Sequence, residues 1–192
     1  MNTLYLLTIL YAFFYGITMK VADLLDEHGL RWFKGADIFF GILWGGFGAL
    51  IILSNNLLAN IYLAMILAFI IRRKIDYFNH GIAVVTMLLT FFASQTVLWN
   101  PLLIFFGIFT LFGLITDYVE DKVKPKNIIL KISRKFVDLR AQYYLFPFLY
   151  SLITGIWIVF AVVAVNMFSY EIMLRIGTIL IRRQQTNKSF NS

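Results

Sequence analysis

Three short clusters hold most of the side chains in this sequence that could do chemistry: Asp23-Leu-Leu-Asp26-Glu27-His28, Asp76-Tyr-Phe-Asn79-His80 and Asp117-Tyr-Val-Glu120-Asp121. Each reads Asp, two apolar residues, then a pair of polar or acidic groups. In a helix, positions i, i+3 and i+4 share a face, so Asp23, Asp26 and Glu27 point one way, as do Asp117, Glu120 and Asp121. Carboxylates grouped like this repel one another unless a cation sits among them, and oxygen-rich sites suit Mg²⁺ or Mn²⁺. These six residues are therefore the expected metal ligands. Arg72, Arg73 and Lys74 stand just before the second cluster and would neutralise a phosphate or diphosphate, with Asp76 or His80 as acid or base. His28 supplies a second imidazole.

A simpler reading competes with this one. Asp, Glu and His also emerge at helix ends because the chain has reached water. Acids at a helix C-terminus, however, oppose the macrodipole by about 0.3–1 kcal/mol each, so three such clusters are not the default outcome. The clusters are spaced irregularly and match over few positions, which is weak evidence of an internal repeat.

The elements that must position these clusters are apolar stretches between them. The chain of 192 residues is 60% hydrophobic and only 14% charged, whereas a soluble domain is about 45–50% apolar and about 25% charged. A span of the hydrocarbon core needs roughly 20 apolar residues. Residues 38–71 carry no charge and are broken by Ser54-Asn55-Asn56; residues 81–116 carry none and are broken by Ser94-Gln95 and Asn100-Pro101. Each such stretch reads as a helical hairpin with its turn on the far side. Residues 141–170 read as one long tilted helix. Leu4 to Met19 lacks a basic leader and a small-residue cleavage site and runs straight into the first cluster, so it reads as a retained span.

The expected fold is all-α: a polytopic helical membrane protein of about six transmembrane helices, arranged as hairpins, in a single integral membrane domain. The predicted spans are 3–22, 38–53, 57–71, 82–98, 102–116 and 143–168, with a polar tail at 182–192. Pro125 to Arg140 differs in kind, since Ile128, Ile132, Phe136 and Leu139 recur at helical spacing beside Lys131, Arg134 and Lys135. That pattern predicts an amphipathic helix, 125–140, lying on the cytoplasmic surface. Gly41, Gly45 and Gly48 fall near one helical face and predict close packing against another helix.

Orientation follows from Lys and Arg. They crowd the loops that carry the clusters and are missing from the far-side turns, so the positive-inside rule places the clusters in the cytoplasm and the N-terminus outside a cell membrane. Six spans would leave the tail outside as well. That sits badly with Arg175, Arg182, Arg183 and Lys188 in it.

The net charge of +7 flanks apolar spans, so anionic headgroups explain it and nucleic acid is not needed. The sequence contains no Cys, which removes thiol chemistry and disulfides. No serine-hydrolase, zinc-protease or nucleotide-binding motif is present, nor a haem-ligand pair. No ionisable group falls mid-span, which disfavours a coupled transporter; Asn60 and Asn166 are the strongly polar groups within spans. Two readings follow. The favoured one is a metal-assisted enzyme modifying a lipid or isoprenoid phosphate at the cytoplasmic interface, with membrane lipids as partners. The other is a non-catalytic scaffold, assembly factor or complex subunit.

Overall fold

The computed structural model describes residues 3–122 and 142–190, and among these every regular element is a helix. In chain order they are α1 (Thr3–Asp26), α2 (Ala36–Ser54), α3 (Asn56–Ile71), α4 (Phe78–Ser94), α5 (Trp99–Lys122), α6 (Gln142–Thr154) and α7 (Trp157–Phe190). Helix is the only local solution for such segments in lipid, because each backbone N–H and C=O must then be satisfied within its own element. Four helices, α1, α2, α5 and α7, are long and apolar enough to cross a membrane, while α3 and α4 are apolar but shorter. The expected surface helix 125–140 lies outside the described residues.

The ends of the helices show why the chain turns where it does. Asn55 alone separates α2 from α3, and its side chain caps α3 by accepting from the N–H groups of Leu57 and Leu58 at 2.9 and 3.1 Å. At the other end of α3, Arg73 adopts a left-handed φ of 55°. Its N–H bonds to the Ile70 carbonyl and that of Lys74 to the Phe69 carbonyl, the Schellman closure usually given to glycine. Gly29 and Gly35, both at positive φ, frame the link from α1 to α2, and Leu30 between them is buried.

The stretch expected to form one tilted helix is two. Gly155 sits at φ 74° between α6 and α7, and the Ser151 hydroxyl donates to the Ile156 carbonyl and accepts from the Phe160 N–H. Phe148 of α6 packs edge-on against Phe160 of α7. The chain therefore reverses here. Tyr143, at the start of α6, and Tyr170, in the middle of α7, both line one cavity. Beyond it α7 continues as helix to Phe190, where a polar tail was expected, and the Gln184 amide donates to the Arg31 carbonyl at 2.9 Å. This stretch of α7 thus lies beside the link between α1 and α2.

Packing is closest between α1 and α2, α1 and α7, and α2 and α4. The glycines of α2 make the last contact possible. A Cβ on Gly41 would lie 2.8 Å from Asn79, and one on Gly45 would lie 2.9 Å from the Ala83 Cα. Helix α3 is buried along most of its length, from Leu58 to Ile66, and forms the centre. Around it, Leu89, Phe92, Leu103 and Leu111 remain more than half exposed.

Candidate functional site

The C-terminal ends of α1, α3 and α5, the first turns of α4 and α6, and the middle of α7 converge on one cavity of about 550 Å³. Its charged lining comes from Lys20, Asp23 and Glu27 on and beyond α1, Arg72, Lys74 and Asp76 after α3, and Asp117 on α5. Two groupings stand out within it.

Asp23 is at the centre of the first. Its Oδ2 atom accepts from the Tyr170 hydroxyl at 2.9 Å and from the Lys20 ammonium at 3.3 Å, and Lys20 also donates to the Tyr170 oxygen at 3.1 Å. The other oxygen, Oδ1, lies 3.2 Å from His80 Nε2. That pair is close enough for a charge interaction but lacks hydrogen-bond alignment, and Nε2 is buried with no hydrogen-bond partner. The opposite ring nitrogen, Nδ1, is held by the Lys74 carbonyl at 3.3 Å and lies 3.4 Å from Asp76. The Schellman turn at Arg73 brings that carbonyl round to face the imidazole.

His80 is held on every side. Trp44 and Tyr77 meet its ring edge-on, with centroids at 5.4 and 5.5 Å. Its backbone N–H donates to the Asn79 side chain at 2.6 Å, and the Asn79 amide donates to the Ala22 carbonyl of α1 at 3.2 Å. Asn79 can reach across because Gly41 opposite it has no side chain. The small residues of α2 therefore do more than allow packing: they let the first turn of α4, which carries His80, come close enough for Asn79 to reach α1.

The second grouping is an ion-pair clasp. Arg72 grips Asp117 with two hydrogen bonds of 2.9 Å, and Lys74 adds a third contact at 3.1 Å. Arg72 reaches Asp117 by lying over Gly113, where any side chain would collide with the guanidinium. Burial works against the Arg72 charge, but the carboxylate it grips outweighs that penalty and holds its pKa above the ordinary value.

The expected site residues are thus distributed unevenly. The structure brings Asp23, Glu27, Asp76, His80, Arg72, Lys74 and Asp117 to one cavity. Asp26 lies in a neighbouring groove beside Asp37 and Lys34. Arg73 is exposed and does not line the cavity. Glu120 and Asp121 fall on α5, with their side chains outside the described residues. His28 lines the cavity rim, with Nε2 4.0 Å from Glu27.

Two participants had no role in the expectations. Lys20 is the one charge inside the first apolar stretch and lies three residues before Asp23, a spacing that could have pointed to the pair. Tyr170 carried no comparable signal, because only the reversal at Gly155 brings it to Asp23. No protein-family model matches this chain, and no curated protein or solved structure shows significant similarity to it.

Proposed function

We propose that this chain is an integral membrane protein that crosses a cell membrane seven times, with the cavity on the cytoplasmic face, and that it is a metal-assisted enzyme acting on a lipid phosphate. Four of the crossings would be the long apolar helices α1, α2, α5 and α7; the shorter α3, α4 and α6 would complete the seven, one more than the charge-free lengths suggest, because residues 142–190 hold two helices. An odd number leaves the N-terminus outside and the tail inside, so Arg175, Arg182 and Arg183 obey the positive-inside rule. Trp99 and Trp157, which begin α5 and α7, and Trp32, Tyr77 and Tyr118, close to the acidic clusters in sequence, are all exposed, as the two aromatic belts of a bilayer-spanning protein would require.

The observation that carries the enzymatic reading is the single cavity in which carboxylates of α1 and α5, the bases that follow α3 and His80 of α4 converge at that interface. A phosphate headgroup entering there would meet Lys74, whose side chain is half exposed, and Lys20 deeper in. Asp76, whose side chain is more than half exposed, would exchange a proton with the same group, with His80 beside it. One observation favours a non-catalytic scaffold: Lys20, Arg72 and Lys74 each already have a carboxylate partner, which suffices for a static clasp between helices.

Lipid analysis separates the two. Cells lacking the protein should accumulate one phosphate-bearing lipid, reversed by the parent chain but not by His80→Gln. With Mn²⁺ present, nanodiscs of phosphatidylcholine with added phosphatidic acid should raise the melting temperature of the purified chain above that with the metal alone, whereas the same rise with inorganic phosphate would identify a soluble substrate. An unchanged lipid profile would overturn the enzymatic reading.

A further inference from the structure

We infer that Asp23 Oδ1, Glu27 and His80 Nε2 form a binding site for one first-row divalent metal ion, a smaller and different set from the six carboxylates that spacing alone suggests. The inference rests on the proposed function only in what the ion would serve, not in the geometry that would hold it.

The donor atoms of these three residues lie within 4.8 Å of one another. Donors sharing an ion at about 2.1 Å are themselves about 3–4 Å apart, so the set is open by about an ångström. Glu27 is the exposed member, and rotation of its side chain would close the gap. The other two are already fixed. Asp23 presents Oδ1 because Lys20 and Tyr170 occupy Oδ2, and His80 presents Nε2 because its Nδ1 faces the Lys74 carbonyl and Asp76. An imidazole whose far N–H is held by a backbone carbonyl or a carboxylate is the usual posture of a metal-ligating histidine.

A second sign is the position of Nε2. The His80 side chain is 6% exposed, and its Nε2 lies 3.2 Å from Asp23 Oδ1, the separation of two donors that share one ion. Among the described residues it is one of six buried side-chain atoms without an aligned hydrogen-bond partner, and it belongs to a residue of this donor set. An ion between Nε2 and Oδ1 would satisfy both atoms at once. The imidazole also narrows the choice of metal, since nitrogen donors suit Mn²⁺, Fe²⁺ or Zn²⁺ better than Mg²⁺.

An ion here would change the character of the whole cavity. Lys20, Arg72 and Lys74 face Asp23, Glu27, Asp76 and Asp117, which leaves one negative charge in excess with the imidazoles neutral. A divalent ion makes that one positive charge. The empty cavity thus disfavours a phosphate, and the loaded one attracts it, so metal would bind first.

Co²⁺ titrated into the metal-stripped full chain in detergent tests the site. The expected result is one ion per chain, with a paramagnetically shifted, exchangeable imidazole N–H resonance from His80. Asp23→Asn and His80→Gln should each weaken binding at least tenfold, and Asp26→Asn should leave it unchanged. The shifted resonance in the parent chain answers the question even where a variant folds poorly. No stoichiometric binding, binding without that resonance, or equal losses in Asp23→Asn and Asp26→Asn would overturn the site. A bound ion with an unchanged cellular lipid profile would leave the site standing and remove the enzymatic reading; a lipid change without a bound ion would do the reverse.

Discussion

The two ends of the helical bundle solve the same problem with different chemistry. At the far end, the turns after α2 and α4 are joined through neutral amides. Asn60, fully buried, donates to the carbonyls of Asn56 and Thr96 and accepts from the Leu98 N–H at 2.8 Å. Asn56 pairs with Thr96 in both directions, and the Gln95 amide reaches the Ile52 carbonyl. Every polar atom of the Asn60 side chain is used. At the near end the polar groups are ionised, they surround a cavity, and His80 Nε2 has no hydrogen-bond partner. A polar network that closes on itself is architecture. One that leaves a buried donor or acceptor over has room for something else.

That contrast can be broken or sharpened by experiment. The largest expected effect is topological and all-or-none. The chain has no native cysteine, so Val97→Cys should react with an impermeant maleimide from outside intact cells, while Lys34→Cys and Arg182→Cys should react only after permeabilisation. External labelling at Arg182→Cys would return the tail to the opposite side and split the near end in two.

Next in size is Asn60→Ala. It frees the Leu98 N–H and the Thr96 carbonyl from their side-chain partner and should lower stability by about 1–3 kcal/mol, measured by denaturant unfolding in detergent. Co²⁺ affinity should stay as in the parent, and a matching fall would show that the far end is more than scaffold. The smallest is Asp26→Asn. Its carboxylate faces the groove shared with Asp37 rather than the cavity, so the change in stability should be below about 0.5 kcal/mol.

Much of the architecture was legible because the bilayer imposes it. Charge-free length located α2 and α3 to within two residues, but set α4 four residues late and ended α5 six residues early; Ser54-Asn55-Asn56 marked a turn because an Asn can both end one helix and cap the next. The reversal at Gly155 was not legible: glycine is common in membrane helices, and nothing local distinguishes one at positive φ from one that packs a face. Missing that reversal also left the basic tail unexplained.

The site was legible in part. Helical spacing brought Asp23 and Glu27 together but also grouped Asp26 with them. At about 100° per residue, Asp26 and Glu27 stand on either side of Asp23 by about 60° and 40°, enough to send them to different neighbours. Asp117 shared its pattern with Asp23 and met a different fate, because Gly113 on its own helix made room for Arg72. Whether a carboxylate meets a guanidinium or an imidazole depends on tertiary partners that no spacing encodes.

The pairing of Lys20 with Asp23 bears on how such a chain enters the membrane at all. A lone Lys or Asp carried into the bilayer costs about 2.5–3.5 kcal/mol at a helix centre on insertion scales, and less towards the end where these two lie. Because they are three residues apart on α1, they neutralise each other within that helix, before α4 or α7 has been synthesised. His80 and Tyr170 arrive later in synthesis and are added to a pair already formed. The charge at the heart of the cavity is thus escorted into place by its own helix, and the rest of the protein assembles around it.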